Sequence, residues 1–487
     1  MRPFEILSCL LEIAAMSVMM FAPSRHRVVR ILSLLLIVGL VVHALFEGAH
    51  WQLIPLYISG VILATYALAG QSWKRSLRAV FGVSCYLLLA FSLLLSWLMP
   101  MFRLPRPSGQ FSVGTQILHL VDASRAEDNG PSPSGKRELI VQAWYPSKPR
   151  FKDHHAEYQR RKEVTERASY RAVLKTNSYE DAPVHPGGPY PVILYNPGWN
   201  GERTEGTYQT EELASHGFIV VAVDHTFFGG LVEFPDGHVT DSHNAPNIGN
   251  FENSSVQQQW DLGGKYVRIE AQDDIFVLDR LQAMNQDPGS PFFQQIDMQR
   301  VGVMGFSIGG AAAVQMAFQD PRIKCVMNMD GWEFGDAAEH DLAMPQMVVY
   351  EDKRGVLPKE PAGTGTPEER MNWQFSLEDY GHVTASMRKH GGYLLFVAGT
   401  HHVDFTDRSL FSPIHQWTGR GEVAPRRVHT IVNAYALAFF SRYLKGESQS
   451  LLEAAPGNPG TGKANLYSEV EYQHFDGEIA PVALAQH

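Results

Sequence analysis

Four apolar stretches stand in series within the first hundred residues, at 4–22, 31–46, 53–70 and 79–98. A helix needs about 20 apolar residues to cross roughly 30 Å of hydrocarbon, because lipid offers backbone N–H and C=O groups no water to bond. Any one stretch could be a buried core helix, but four in series predict a membrane-embedded module at residues 1–100. Glu5 and Glu12 interrupt the first. The fourth carries no acid or base and has Trp97 near its end, where an interfacial aromatic is expected. Arg2 ahead of an apolar run also suggests a cleaved signal peptide, but the two glutamates and the lack of a small-x-small site before Pro23 argue against it.

The short loops predict an orientation, since basic residues near helix ends stay on the cytoplasmic side. Arg25, Arg27 and Arg30 lie in the first loop and Lys74, Arg75 and Arg78 in the third, while 47–52 holds no Lys or Arg. Everything after residue 98 is then expected outside the cytoplasm. Glu12, His43 and Glu47 are candidates for functional polar residues in or near lipid, with packing between helices or helix-end snorkelling as the alternative.

Charge divides the chain at the same place. Residues 1–100 carry seven basic and three acidic side chains, a net of +4, and the other 387 carry 34 and 48, a net of −14. An acidic remainder without a basic stripe excludes nucleic acid as the expected partner. The three cysteines, Cys9, Cys85 and Cys325, make neither a disulfide framework nor a CxxC metal cluster. Between the two materials lies Met99-Pro100-Met101-Phe102-Arg103-Leu104-Pro105-Arg106-Pro107, whose prolines resist helix and strand, so 101–107 reads as a semi-rigid linker.

From residue 108 the pattern becomes α/β, predicting a mostly parallel sheet with helices on both faces over 108–487. Solid apolar runs at 139–145, 192–195, 218–223, 301–305, 325–329, 347–350 and 393–397 suit strands buried on both sides. Helical stretches are expected at 208–215, 266–284, 308–318, 383–390 and 427–444. Residues 151–190 and 353–376 read as surface excursions or disorder, and 466–475 as a short terminal strand.

Gly305-Phe306-Ser307-Ile308-Gly309-Gly310 follows the apolar run Val301-Gly302-Val303-Met304 and precedes Ala311-Ala312-Ala313. This is G-x-S-x-G in the strand, tight turn and helix context that exposes a serine nucleophile. A serine needs a base and the base an orienting acid, in the chain order Ser, Asp or Glu, His. His401 and His402 directly follow the 393–397 strand, the end at which such sheets place catalytic groups. The other downstream histidines, from His340 to His474 and His487, lack that placement. For the acid, Asp330 follows the 325–329 strand and Glu351 and Asp352 follow 347–350, and periodicity does not choose between them. An oxyanion hole needs the N–H after the nucleophile, that of Ile308, and one from an early loop; Asn196-Pro197-Gly198-Trp199 makes the N–H of Trp199 the candidate.

Together these segments resemble the lipoprotein-associated platelet-activating factor acetylhydrolases and their bacterial relatives, in the α/β-hydrolase superfamily, over most of 109–445. The resemblance is carried by Gly114, Asp122 to Arg125, Val141-Gln142-Ala143-Trp144-Tyr145-Pro146, Leu213-Ala214-Ser215-His216-Gly217-Phe218, Val221-Ala222-Val223-Asp224-His225, Phe234-Pro235-Asp236-Gly237 and the serine turn. It implies Asp330, in Asp330-Gly331-Trp332, as the acid. Gly399-Thr400-His401-His402 with Phe405 and Asp407 aligns His402 with the family's histidine. Phe306, where many members have histidine, and the N-terminal helices are departures.

The sequence thus predicts a membrane-anchored serine ester hydrolase with an α/β-hydrolase domain and Ser307, Asp330 and His402 as its triad. The expected substrates are short or oxidised acyl esters of phospholipid-like amphiphiles. No metal or organic cofactor is required, and His154-His155 has no spaced partner. A general carboxylesterase or polyester hydrolase, and a non-catalytic membrane sensor, are the alternatives.

Overall fold

The structure, a computed structural model, describes residues 2–69, 74–130, 135–243, 255–357, 359–361, 363, 365–453 and 466–477. Gly70, at the end of the third apolar stretch, and His487 lie outside the described residues. The chain forms two compact units. The first comprises 1–103 together with 157–175 and 410–418, and the second comprises 104–156, 176–409 and 419–487.

Each apolar stretch of the first unit becomes a helix: α1 (Pro3–Phe21), α2 (His26–His43), α3 (Ile54–Ala69) and α4 (Arg75–Leu98). Taken with the short turns that flank them, the spans Pro3–Phe21, His26–Gly48, Trp51–Leu68 and Arg75–Leu98 are long and apolar enough to cross a membrane. Their common core is made of Cys9, Met16, Leu36, Leu40, Leu56, Leu63, Cys85 and Leu89. Leu10, Val38, Val61, Val80 and Leu87 point outward and are exposed, an inversion of the soluble pattern that suits a surface facing lipid. Close approach of the helices rests on small residues. A Cβ on Gly60 would come within 2.8 Å of Leu40, and one on Gly82 within 2.5 Å of Met20. The 157–175 and 410–418 segments join this unit through Trp51 Nε1, which donates to the Arg167 carbonyl at 2.9 Å, and through Phe102, which stacks on Phe411.

The second unit is built on one sheet of eleven strands. In chain order these are β1 (Ser112–Ala126), β2 (Lys136–Ser147), β3 (His155–Glu157), β4 (Lys175–Glu180), β5 (Tyr190–Asn196), β6 (Ile219–Asp224), β9 (Ile296–Phe306), β10 (Ile323–Met329), β11 (Gln346–Tyr350), β12 (Gly392–Val397) and β13 (Val470–Phe475). A separate small hairpin pairs β7 (Val232–Glu233) with β8 (Val239–Thr240). The spatial order is β13-β12-β11-β10-β9-β5-β6-β2-β1-β4-β3. The six strands from β12 to β6 are mutually parallel, and β13 and β2 pair antiparallel at either side.

Alternate residues of these strands face opposite helix layers. Val192, Leu194, Val221, Val303 and Val326 pack with Ala271, Val277 and Leu278 of α6 (Val256–Gln286) and Ala313 and Val314 of α7 (Ile308–Gln319). On the other face Gly302 lies against Phe440 and Leu444 of the Pro425–Lys445 helix, and α5 (Thr207–Ser215) packs against that helix too. The chain leaves β5 for β6 on one side and later returns to β9 on the other. The carboxyl ends of β5 and β9 therefore flank the point where strand order reverses, the crevice in which open α/β sheets bind ligands.

Candidate active site

The serine turn is built by close packing. β9 ends at Phe306, α7 begins at Ile308, and Ser307 between them sits at φ 55° and ψ −129°, a left-handed conformation costly for a residue with a side chain. Its N–H donates to the Met329 carbonyl at 2.8 Å. A Cβ on Gly305 would lie 2.1 Å from the Gly309 carbonyl oxygen, and one on Gly309 would lie 2.3 Å from the carbonyl oxygens of Asn196 and Pro197. Glycine is required at both places so that the turn can fit against the end of β5.

Asp330 follows β10 and is also left-handed, at φ 58°. Asn328 clamps that turn: its Oδ1 accepts from the Gly331 N–H at 3.0 Å, and its Nδ2 donates to the Gly331 carbonyl at 2.8 Å. His402 opens a short 3₁₀ turn after β12, held by Asp404, whose Oδ2 accepts from the N–H groups of His401 (2.9 Å) and Gly421 (2.6 Å). The three side chains meet. His402 Nδ1 lies 2.6 Å from Asp330 Oδ2, and His402 Nε2 lies 2.9 Å from Ser307 Oγ. With a carboxylate accepting at Nδ1–H, Nε2 turns its lone pair to the serine hydroxyl.

His401 is exposed and makes neither contact, and Asp352 is paired with Arg354 and the Gly399 N–H. Phe306 lies against the His402 ring at 4.6 Å between centroids.

These residues open into a cavity of about 360 Å³ whose walls include Trp199, Ile308, Trp332, Phe334, Tyr350 and Glu351. The N–H groups of Trp199 and Ile308 have no acceptor among the described residues, and both residues border the cavity beside Ser307. The loop bearing Trp199 is fixed from beneath by Glu205, whose Oε1 accepts from the Gly198 N–H at 2.5 Å, and from the side by Tyr266, on which the indole stacks.

Burial lowers the affinity of His402 for a proton. The hydrogen bond and charge of Asp330, joined by Glu351 and Glu205, outweigh this and hold His402 above its ordinary value. Glu351 is itself pushed up to about 7, by burial first and by the charge of Asp330 second. Burial likewise pushes Glu205 up to about 7.

Comparison with known proteins finds similarity to ester hydrolases. The profile of "Platelet-activating factor acetylhydrolase, isoform II" matches residues 99–227, and a "PET hydrolase-like" profile matches 268–363. A probable 1-alkyl-2-acetylglycerophosphocholine esterase of Arthroderma benhamiae is 27% identical over 268 residues, which are 50% of this chain and 62% of that protein. The platelet-activating factor acetylhydrolase of Cavia porcellus is 28% identical over 192 residues, 36% of this chain and 43% of that protein. The chain thus spans less than two thirds of these relatives. A solved ferulic acid esterase from Streptomyces cinnamoneus superposes with a TM-score of 0.59 at 30% identity, covering 76% of this chain and 98% of that one.

The chain is similar to platelet-activating factor acetylhydrolases over part of its length and to a ferulic acid esterase over most of it, and all of these are ester hydrolases. Two contributors to the site were not legible in the sequence. Glu205 carries no local signal, because a carboxylate in a polar loop is ordinarily solvated and only the fold buries it. The far wall of the cavity, with Gly355, Val356, Asn372 and Ser376, comes from the stretch read as a surface excursion. It contains a short helix (Lys353–Val356) and the start of a long one (Pro367–His390). Thr366 and Glu369 form a capping box around Pro367, a start signal present in the sequence.

Proposed function

We propose that the chain is a membrane-anchored serine esterase, with a transmembrane module at 1–100, a linker at 101–107 and an extracytoplasmic α/β-hydrolase domain at 108–487. The observation that carries this reading is the His402 ring bridging Ser307 Oγ and Asp330 Oδ2 at the floor of the cavity. Ser307 Oγ attacks the ester carbonyl carbon while His402 Nε2 takes its proton, and the N–H groups of Trp199 and Ile308 receive the oxyanion. The ester C–O bond then breaks, and the alcohol departs with the proton from His402. Water attacks the acyl-enzyme with His402 again as base, releasing the acid and restoring Ser307. Asp330 stabilises the imidazolium throughout.

The substrates are short or oxidised acyl esters of phospholipid-like amphiphiles, reached from the membrane surface. A general carboxylesterase or polyester hydrolase is the second reading. It is favoured by the aromatic cavity wall of Trp199, Trp332, Phe334 and Tyr350, and by the absence of Lys and Arg among the described residues lining it. An ester panel spanning acyl lengths and glycerophospholipids separates the two.

The deciding test is Ser307→Ala assayed on p-nitrophenyl butyrate, with fluorophosphonate labelling of the parent chain. Hydrolysis is expected to fall by about 10³-fold or more, with labelling lost. Full activity in the variant would overturn the mechanism.

A further inference from the structure

Where α1 begins and the chain passes from α2 to α3, the helical unit gathers a second group of reactive side chains. Glu5, His43 and His50 come from three separate segments and are 1%, 0% and 5% exposed. One ligand atom from each lies within 4.8 Å of the other two. Nothing in ester hydrolysis uses them, and the sequence keeps them up to 45 residues apart.

Their neighbours set the direction of each ring. Gln52 donates from Nε2 to the Met99 carbonyl at 3.0 Å, which turns its Oε1 to His50 Nδ1 at 2.9 Å. An amide oxygen only accepts, so Nδ1 carries the proton. His50 Nε2 faces a second acceptor, Glu5 Oε1, at 3.2 Å. A neutral imidazole has one N–H and cannot serve two acceptors, so this contact needs either a second proton or a cation between nitrogen and oxygen. His43 also turns its Nδ1 to an acceptor, but its Nε2 faces a hydroxyl that can donate, which a bound cation would displace. Glu47 Oε2 lies 2.9 Å from its Nδ1, and the Tyr57 hydroxyl lies 2.9 Å from its Nε2. An imidazole that gives one N–H to a carboxylate or amide oxygen and presents its other nitrogen is the arrangement of metal-binding histidines. Glu5 is held in place by Arg2, whose backbone N–H donates to Oε2 at 2.8 Å and whose Nε donates to Oε1 at 2.5 Å. The remaining Arg2 nitrogens are turned to the carbonyls of Glu47 and Gly48.

We propose that Glu5, His43 and His50 bind a divalent transition metal of the zinc class, through one carboxylate oxygen and one ring nitrogen of each histidine. Gln52 and Glu47 orient the two imidazoles. Two nitrogens and one oxygen suit Zn²⁺, with a fourth position left for water. The ion ties the first turn of α1 to the last turn of α2 and to the connection that leads into α3. It is independent of the esterase reading, because Ser307 belongs to the other unit.

The test uses the full-length chain in detergent, with any affinity tag removed, stripped by a chelator and titrated with Zn²⁺ by calorimetry and with Co²⁺ by visible absorption. One Zn²⁺ per chain is expected, with Co²⁺ bands of a nitrogen and oxygen site and a thermal midpoint that rises with added Zn²⁺. His50→Ala and Glu5→Gln are expected to weaken binding by more than about 100-fold and Gln52→Ala by about 10–100-fold, with Glu12→Gln unchanged. Equal Zn²⁺ binding by His50→Ala and the parent chain, or none by the parent, overturns the site and assigns the His50–Glu5 contact to a second proton. If the variants do not fold, the parent chain decides alone: no Co²⁺ bands and no Zn²⁺-dependent thermal shift overturn the proposal. Hydrolysis of p-nitrophenyl butyrate by the stripped parent chain reads the esterase function separately.

Discussion

The backbone N–H of Glu351 donates to Asp330 Oδ1 at 3.0 Å, the carboxylate oxygen that His402 leaves unused. Its side chain borders the same cavity and adds to the charges that hold His402 above its ordinary value. Glu351→Gln keeps the main-chain bond and removes only the charge. A base works when neutral, so activity falls as pH drops through the His402 pKa. Removing a negative neighbour lowers that pKa, and the acid limb of kcat/KM is expected to move down by about half a pH unit or more, with the plateau at high pH nearly unchanged. A pH–rate profile of the two proteins checks this, and an unmoved limb would show that Glu351 does not act on His402.

For the parent chain the same limb is expected to have its midpoint above the ordinary histidine value of about 6.5, because Asp330 favours the imidazolium. Asp330→Asn removes that charge and allows the wrong tautomer at Nδ1. It is expected to lower kcat by about 10³–10⁴-fold and to shift the remaining acid limb downward. Steady-state kinetics across pH 5–9 measure both, and a variant within about tenfold of the parent would count against Asp330 as the acid.

How much of this was legible depends on the range of each interaction. β5, β9, β10, β11 and β12 were read within a few residues, because strands buried on both faces must be apolar throughout. β1 was not, since near the sheet edge its Gln116, His119 and Asp122 alternate with apolar residues and mask the run. Ser307 was visible because its strain demands nearby glycines in sequence. Asp330 and His402 were visible only as members of sets, with Glu351, Asp352 and His401 competing, because their selection is made across 72 residues by a contact of 2.6 Å. The resemblance, not the residue pattern, selected them. Membership of 157–175 and 410–418 in the helical unit left no trace in composition, since it rests on the few contacts made by residues such as Trp51 and Phe102.

Glu205 supports the loop that carries the Trp199 N–H, accepting from Gly198 at 2.5 Å while buried. Glu205→Gln retains an acceptor of the same length, whereas Glu205→Ala leaves the Gly198 N–H without one. The alanine variant is expected to lose about 10–100-fold in kcat with a small change in KM, because oxyanion stabilisation is felt in the transition state, and the glutamine variant is expected to stay within a fewfold of the parent. Parallel kcat and KM determinations separate this from general unfolding, which would lower the amount of active enzyme in both variants together.

Arg137 is buried between β2 and α6. It holds Asp273 with Nε at 3.0 Å and Nη2 at 2.6 Å, while its Nη1 reaches Glu127 at 2.7 Å. Burial raises the Asp273 carboxyl, but the Arg137 charge, with His225 adding, holds it far below the usual carboxylate range. A depressed carboxylate stabilises the fold above its unfolded pKa of about 4, and that contribution is lost as pH falls toward the folded value. Arg137→Met leaves Asp273 buried with Arg125 and His225 as its remaining partners. It is expected to cost on the order of 3 kcal/mol at neutral pH. Because the variant has already lost part of the pairing, its stability should fall less steeply than the parent's between pH 5 and pH 3. Urea denaturation of the two proteins at several pH values tests both the offset and the slope. Parallel pH curves would show that Asp273 does not owe its low pKa to Arg137.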